Sequence, residues 1–297
     1  MSNHSGFVAI VGRPNVGKST LLNHVLGDKI AIVSSKPQTT RRRMKGIHTT
    51  EAGQIVFVDT PGIHKPHHLL GEQLVEHAKR AIGEVDLVWV LVDGTVAPGK
   101  GDQFVANLVK ESGHPAYLVI NKLDMVKGEE RNRFLTTYTA LNDWAGVYAI
   151  SARHGDGVPE LLAATTAALP EGPHYYPDDE LTDQSLRQIA GELVREQIFR
   201  QTGEEVPHSA AVLIEDFKER EGQDMTYIMA RIIVERDSQK AIVIGKGGAK
   251  LKAIGAEARE SIAKLMGTRV FPYLVVDVIP NCWDEKNSLR EFGNLVE

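Results

Sequence analysis

Cysteine is nearly absent. The 297-residue chain has one, Cys282, which excludes an intramolecular disulfide framework and leaves no disulfide partner within the chain. A lone cysteine of this kind is expected to be a small semi-buried residue rather than a nucleophile. Long apolar runs are missing too: none approaches ~18 residues, so no membrane-spanning helix and no signal peptide is expected. These absences predict a cytoplasmic protein, with peripheral contact at the inner face of the cell membrane left open. There is no positive charge excess either. Lys and Arg number 34 against 39 Asp and Glu, a net charge of −5 that by itself argues against nucleic-acid partners. What the chain does have is length for about two domains and 42% hydrophobic residues to fill both cores.

Four short strings stand in fixed order: Gly12-Arg13-Pro14-Asn15-Val16-Gly17-Lys18-Ser19, Asp59-Thr60-Pro61-Gly62, Asn121-Lys122-Leu123-Asp124 and Ser151-Ala152. Before the first lies Phe7-Val8-Ala9-Ile10-Val11, a β-branched apolar run of the kind that forms a buried strand. After it, Leu21, Leu22, Val25 and Leu26 recur at helical spacing from Lys18 to Leu26, and Gly27 stops the helix. A Gly-rich loop between strand and helix turns successive N–H groups toward a polyphosphate, and the helix N-terminus adds partial positive charge. Gly12 through Thr20 are therefore the candidate phosphate-binding residues. Lys18 would reach the β- and γ-phosphates, and the Ser19 hydroxyl would ligate Mg²⁺.

The later strings select the nucleotide. Ile55-Val56-Phe57-Val58 reads as a strand ending in Asp59, whose carboxylate can hold Mg²⁺. Gly62 offers an N–H to the γ-phosphate with no side chain in the way. Asn121 and Asp124 follow the strand-like Tyr117-Leu118-Val119-Ile120, at a strand end where open α/β sheets bind ligands. Asp124 would accept from the N1–H and 2-amino group of guanine; adenine lacks both donors, so discrimination of ~10⁴-fold or more is available. Asn121 would tie the base to the phosphate loop, and the Lys122 stem would cover the purine. Ser151-Ala152 follow Val147-Tyr148-Ala149-Ile150, and the Ala152 N–H would donate to guanine O6. The expected ligands are GTP and GDP with Mg²⁺.

The stretch from Pro170 to Asp179 has three prolines and no helical or strand period. The predicted organisation is a nucleotide-binding domain over 1–171, a linker over 172–181 and a second domain over 182–297. The second reads helix 186–201, strand 210–217, strand 227–235, helix 239–244, helix 249–266 and strand 271–278. Between its adjacent helices lies Ile244-Gly245-Lys246-Gly247-Gly248, and a Gly-x-x-Gly turn there lets a nucleic-acid backbone approach closely. From Lys240 to Arg269 the chain has seven Lys or Arg against two acids, so the local charge reverses the impression given by the whole. Ile244, Gly245, Lys246, Gly247, Gly248, Lys250 and Lys252 are the candidate RNA-binding residues. Ile242, Val243, Ile244, Leu251 and Ile254 would form an apolar floor for bases, and Val212, Ile214 and Ile232 are either floor or core. Gly99-Lys100-Gly101, without a strand before it, reads as a surface turn. His64, His67 and His68 do not make a metal site, being poorly placed for joint ligation.

With GRPNVGKS, QTTR, DTPG, NKLD, SA and VIGKGG in this order, essentially the whole chain resembles the Era family, KH-containing small GTPases of the TrmE-Era-EngA-like group. The resemblance implies an α/β P-loop GTPase domain, mostly parallel with helices on both faces, followed by an α+β KH type II domain. It implies GTP hydrolysis, single-stranded RNA as partner, namely the 3′ end of 16S rRNA, and a role in 30S ribosomal subunit assembly. An alternative is a GTPase whose C-terminal domain docks to protein or membrane. The residue after Gly62 is Ile63, where Ras-type GTPases have the glutamine that orients water, so intrinsic hydrolysis is expected to be slow. In the first switch, Ser34 to Arg43, the family pattern favours Thr40 over Thr39 as a Mg²⁺ ligand, giving Lys18, Thr40, Asp59 and Gly62 as the catalytic set. Arg41 to Arg43 are a second RNA contact, an arginine finger or a solvated loop. By the same resemblance Asn15 either seats K⁺ or satisfies its own turn.

Overall fold

The computed structural model describes residues 3–33, 44–60, 62–63, 69–126, 128–203, 206, 209–219 and 224–282. Thr39, Thr40, the arginines at 41–43 and His64, His67 and His68 lie outside them. Two compact units divide the chain, with the change of unit after Asp183 and with residues 29–33 belonging to the second.

The first unit is built on six strands: β1 (His4–Gly12), β2 (Met44–Thr50), β3 (Gly53–Asp59), β4 (Leu87–Asp93), β5 (Ala116–Asn121) and β6 (Gly146–Ala149). Their order is β2-β3-β1-β4-β5-β6, antiparallel only between β2 and β3. All seven residues of β3 are buried, the pattern of a strand covered on both faces. The covering helices are α1 (Lys18–Leu26), α2 (Leu69–Gly83), α3 (Lys100–Ser112), α4 (Glu129–Thr139) and α5 (Val158–Ala168). Alternation along the strands assigns the faces. Val88 and Val90 of β4 join one core with Ala78 of α2, Val105 of α3 and Tyr138 of α4. Trp89 between them points the other way and donates Nε1–H to Thr165 Oγ1 of α5 at 3.0 Å. Because β1, β3, β4, β5 and β6 are parallel, Gly12, Asp59, Asp93 and Asn121 end at one edge of the sheet.

One expectation changes here. Gly99-Lys100-Gly101 is the start of α3, with Gly99 as its N-cap, so it is not a surface turn. Asp102 fixes that start by accepting from the Gly99 amide at 2.8 Å. The proline-rich stretch is held along the first unit: buried Gln54 accepts from the amides of Tyr175 and Tyr176 at 2.8 and 2.9 Å. Farther on, Ile47 donates its amide to Leu181 O at 2.9 Å.

The second unit runs α6 (Leu186–Gln201), β7 (Ala211–Glu219), β8 (Met225–Val234), α7 (Asp237–Ile244), α8 (Ala249–Met266) and β9 (Arg269–Val278). Ser185 caps α6 by accepting from the Gln188 amide, with Gln188 returning the bond to Ser185 N. The sheet order is β7-β8-β9; β7 and β8 are antiparallel, β8 and β9 parallel. Ile254, Ala258 and Ile262 recur every fourth residue along α8 and are fully buried, which defines its inner face. Val243 and Ile254 are fully buried and belong to the core, not to an exposed floor; Ile232 is core as well. Ile244 and Leu251 remain half-buried and Ile242 is exposed. Cys282 is buried against Ala211 and Ile233.

Candidate nucleotide site and nucleic-acid interface

The loop from Gly12 to Gly17 leaves β1 and enters α1 under tight steric limits. Gly12 has φ 157°, and a Cβ there would lie 2.4 Å from Leu91 O. Gly17, the N-cap of α1, has φ 105° and would place a Cβ 2.2 Å from Asn121 Nδ2. Asn15 takes a left-handed φ of 65°, which asparagine tolerates better than most residues. Lys18 is buried, donating to Gly12 O at 3.2 Å and Arg13 O at 3.0 Å. Burial pushes its pKa down to about 8 against the opposing pull of the Asp59 carboxylate. Ser19 opens the same helix and is buried, as is Val16, while Thr20 is half-buried. A buried lysine inside a loop of turned amides fits a polyphosphate, and the buried oxygens of Ser19 and Asp59 suit a hard divalent cation.

Gly62 packs directly on this loop: a Cβ would meet Pro14 Cα and N at 2.9 Å. Thr60 beside it donates Oγ1–H to Ile10 O at 2.8 Å. Ile63 is fully buried in the core with Ala9, Val58 and Ala78, while its amide donates to Gly12 O at 3.0 Å. Its side chain therefore serves packing and offers nothing to a water molecule.

The candidate guanine-binding residues converge through Asn121. Its Nδ2 donates to Val16 O in the phosphate loop at 2.8 Å, and its Oδ1 accepts from the Ala152 amide at 2.8 Å. The Ala152 N–H, expected to serve guanine O6, is thus already shared with Asn121. Asp124 is exposed and is oriented by Ser151 Oγ–H at 2.8 Å, with His154 Nε2 at 3.8 Å. Lys122 adopts φ 68° and extends its Nζ to 2.5 Å from Asp93 Oδ2.

Two supporting residues escape a reading of motifs. Burial pushes the Asp93 carboxyl up, but hydrogen bonds from Lys122 and Thr95 outweigh it and hold the group below the usual carboxylate range. Its signal was available, since Leu87 to Asp93 is an apolar run ending in an acid like the one before Asp59. Asp102 binds Arg13 Nη1 at 2.7 Å and so ties the phosphate loop to α3. Nothing short of the fold brings those two together. The buried Tyr138 hydroxyl is held well above its usual value by burial first and by Asp102 second.

In the second unit, Gly245 to Gly248 join α7 to α8. Gly245, Gly247 and Gly248 have φ of 70°, 59° and 78°, and at Gly245 a Cβ would also lie 2.7 Å from Lys250 Cβ. The turn thus needs glycine for its path. Lys246 and Lys252 are exposed and Lys250 is half-buried. Among the described residues none of the three is in an ion pair, which leaves their charge for an anionic partner. Among the described residues no group of three or more His, Cys, Asp or Glu is placed to hold a metal, and no helix is long and apolar enough to cross a membrane.

Residues 7–122 match the family described as 50S ribosome-binding GTPase, and residues 205–281 match the KH domain family. The chain is 47% identical to GTPase Era of Leuconostoc citreum over 291 residues, covering 97% of this chain and 96% of that one. It is 45% identical to GTPase Era of Heliobacterium modesticaldum over 289 residues, with the same coverage. Among solved structures it is similar to an Aquifex aeolicus Era variant bound to GDP·AlF4⁻, at 37% identity and a TM-score of 0.94, covering 99% of this chain and 100% of that one. An Era structure in complex with MgGDPNP and nucleotides 1506–1542 of 16S ribosomal RNA has 38% identity, the same TM-score and the same coverage. By sequence over nearly its full length and by fold across both units, the chain belongs to the Era family of GTPases.

Proposed function

We propose that the chain is a slow GTP-hydrolysing switch that binds the 3′ end of 16S rRNA through its KH domain and acts in 30S subunit assembly in the cytoplasm. The observation that carries the nucleotide half is Asn121, one side chain bonded at once to the phosphate loop and to the base loop. Gly12 to Thr20 hold the phosphates, and Asn121, Lys122, Asp124, Ser151 and Ala152 hold guanine. Ser19, Asp59 and Thr40 hold Mg²⁺, which when bound neutralises phosphate charge. Lys18 supplies the fixed cation, and the Gly62 amide lies against the loop beside Pro14. With Ile63 in the core, no side chain at that position polarises water, which supports slow turnover. Asn15, in its left-handed turn, seats K⁺ near the phosphates; equal turnover in K⁺ and Na⁺ would remove that role. The working domain limits are 1–171 and 182–297, joined by 172–181.

The RNA half rests on the glycine turn and its unpaired lysines, and on the Era complex with 16S rRNA. The test is titration of the full chain with a 16S rRNA 1506–1542 oligonucleotide, for wild type and for a Lys246→Ala, Lys250→Ala variant. Weaker binding and a shallower salt dependence are expected of the variant. Unchanged binding would point to a docking role for the KH domain instead.

A further inference from the structure

We propose that Asp93 is a positioning residue for the purine: it pins the Lys122 ammonium so that the lysine stem lies fixed across the face of the base. The inference rests on the reading that Lys122 covers the purine, and adds what holds the lysine there.

Asp93 ends β4 and is the register partner of Asn121 on β5, one residue before Lys122. Its carboxylate is oriented by its own neighbours. Oδ1 accepts from the Thr95 amide at 3.0 Å and from Thr95 Oγ1 at 2.6 Å, which leaves Oδ2 to accept from Lys122 Nζ at 2.5 Å. The backbone is fixed as well: the Tyr138 hydroxyl donates to Asp93 O at 3.3 Å, and Gly94 donates its amide to Asn121 O at 2.8 Å. A Cβ at Gly94 would lie 2.8 Å from that same oxygen, so only glycine lets the two strand ends run this close. Burial pushes the Asp93 carboxyl up, and the bonds from Lys122 and Thr95 outweigh it, so the group stays charged.

The lysine is held against its own backbone preference. Among the described residues the non-glycine positions with positive φ are Asn15, Lys122 and Asn281. Asparagine tolerates that region through a short polar side chain that bonds locally, whereas lysine has only the clash of Cβ with the following carbonyl. Such conformations persist where the surroundings over-determine them, and they gather at functional sites. Here Asp93 holds the tip of the side chain, while the Leu123 amide holds the backbone by donating to Ile150 O at 3.2 Å. The Lys122 and Asp93 side chains are 28% and 18% exposed, so their charge-assisted bond is shielded more than a surface pair would be.

A stem lying on a ring face meets every purine alike, because dispersion does not read the edge of the base. Asp93 should therefore set how tightly a purine is gripped and leave base selection to Asp124.

The test uses the full chain with a fluorescent GDP displaced by GDP or IDP, for wild type, Asp93→Asn, Lys122→Met and the double variant. Asparagine keeps an acceptor for Thr95 but loses the charge facing Lys122; methionine keeps the apolar stem but loses the ammonium. Each single variant should weaken GDP and IDP by the same factor of about tenfold. The double variant should lose no more than either single one, since both break one bond. In GTP turnover, KM should rise by a similar factor while kcat stays within about twofold. Thr95→Val, which leaves both charges in place, keeps the idea falsifiable should Asp93→Asn fold poorly: it should weaken both diphosphates by about threefold. Unchanged or tighter binding by Asp93→Asn or Thr95→Val, losses that multiply in the double variant, factors that differ between GDP and IDP, or a loss confined to kcat would overturn the positioning role. Lys122→Ala removes the stem itself, and GDP binding by that variant at wild-type strength would overturn the base-covering reading.

Discussion

On the proposed reading Asp124 selects the base, and its environment supports that role. Its side chain is 21% exposed and is held by Ser151, so it would meet a base with one oxygen already oriented. Asp124→Asn exchanges an acceptor for a donor. The variant should lose GTP affinity by ~10²-fold or more and gain XTP affinity, measured by competition against a fluorescent nucleotide. Lys18 gives the site a pH signature. Its pKa of about 8 lies below the ordinary 10.5, so the nucleotide-free chain gives up a proton between these values that a bound phosphate would restore. Nucleotide affinity should therefore be highest below pH 8 and fall as pH rises through it. Stability of the nucleotide-free protein should rise from about pH 8 to 10.5, because over that window the unfolded lysine still holds a proton that the folded one has lost. Isothermal titration in buffers of different ionisation enthalpy would register proton uptake near pH 8. Asp102 is the residue to change for the phosphate loop. Asp102→Asn weakens its charge-assisted bond to Arg13, and release of a fluorescent GDP analogue should quicken by about tenfold.

At the scale of elements, the parts with marked ends were legible and those without were not. Helices α1, α6 and α8 were readable to their limits because Gly27, the Ser185–Gln188 cap and Gly248 with Gly267 punctuate them. β2 was invisible: as an antiparallel edge strand it buries only Gly46 and Ile47, leaves Lys45 half-buried and Thr50 exposed, and so has no apolar run. α3 was misread because two glycines at its start look like a turn, whereas Asp102 caps the helix and Arg13 lies over Gly101, whose Cβ would sit 2.8 Å from Arg13 Cδ. The four nucleotide strings were legible because each follows a strand, and Asp93 ends an apolar run in the same way; its bond to Lys122, and Asp102 beside Arg13, were not, since only the fold brings those pairs together. One element carries a buried charge worth testing. Glu196 of α6 is fully buried and pairs with Lys29 at 2.7 Å and Arg200 at 2.6 Å, all within the second unit. Glu196→Ala should lower that unit's stability by about 1 kcal/mol in urea denaturation, because the cations it leaves are not buried. Both cations are partly exposed, so water takes up part of the loss.

For the whole molecule, the net charge of −5 hides a division of labour. Positive charge suited to an RNA partner is gathered on Lys246, Lys250, Lys252 and Arg259 around one turn and one helix. A site assembled this way binds locally and is strongly salt-dependent. In the first unit, the same logic concentrates chemistry at one edge of a parallel sheet, where five strand ends share a direction. As the proposed switch, the chain should couple the nucleotide held at that edge to RNA binding by its KH domain. This coupling is tested most directly by titrating the full chain with the 16S rRNA 1506–1542 oligonucleotide in three states: free of nucleotide, with GDP, and with GDPNP, each with Mg²⁺. RNA dissociation constants should differ by about fivefold or more between the GDP and GDPNP states. The same affinity in all three states would contradict it.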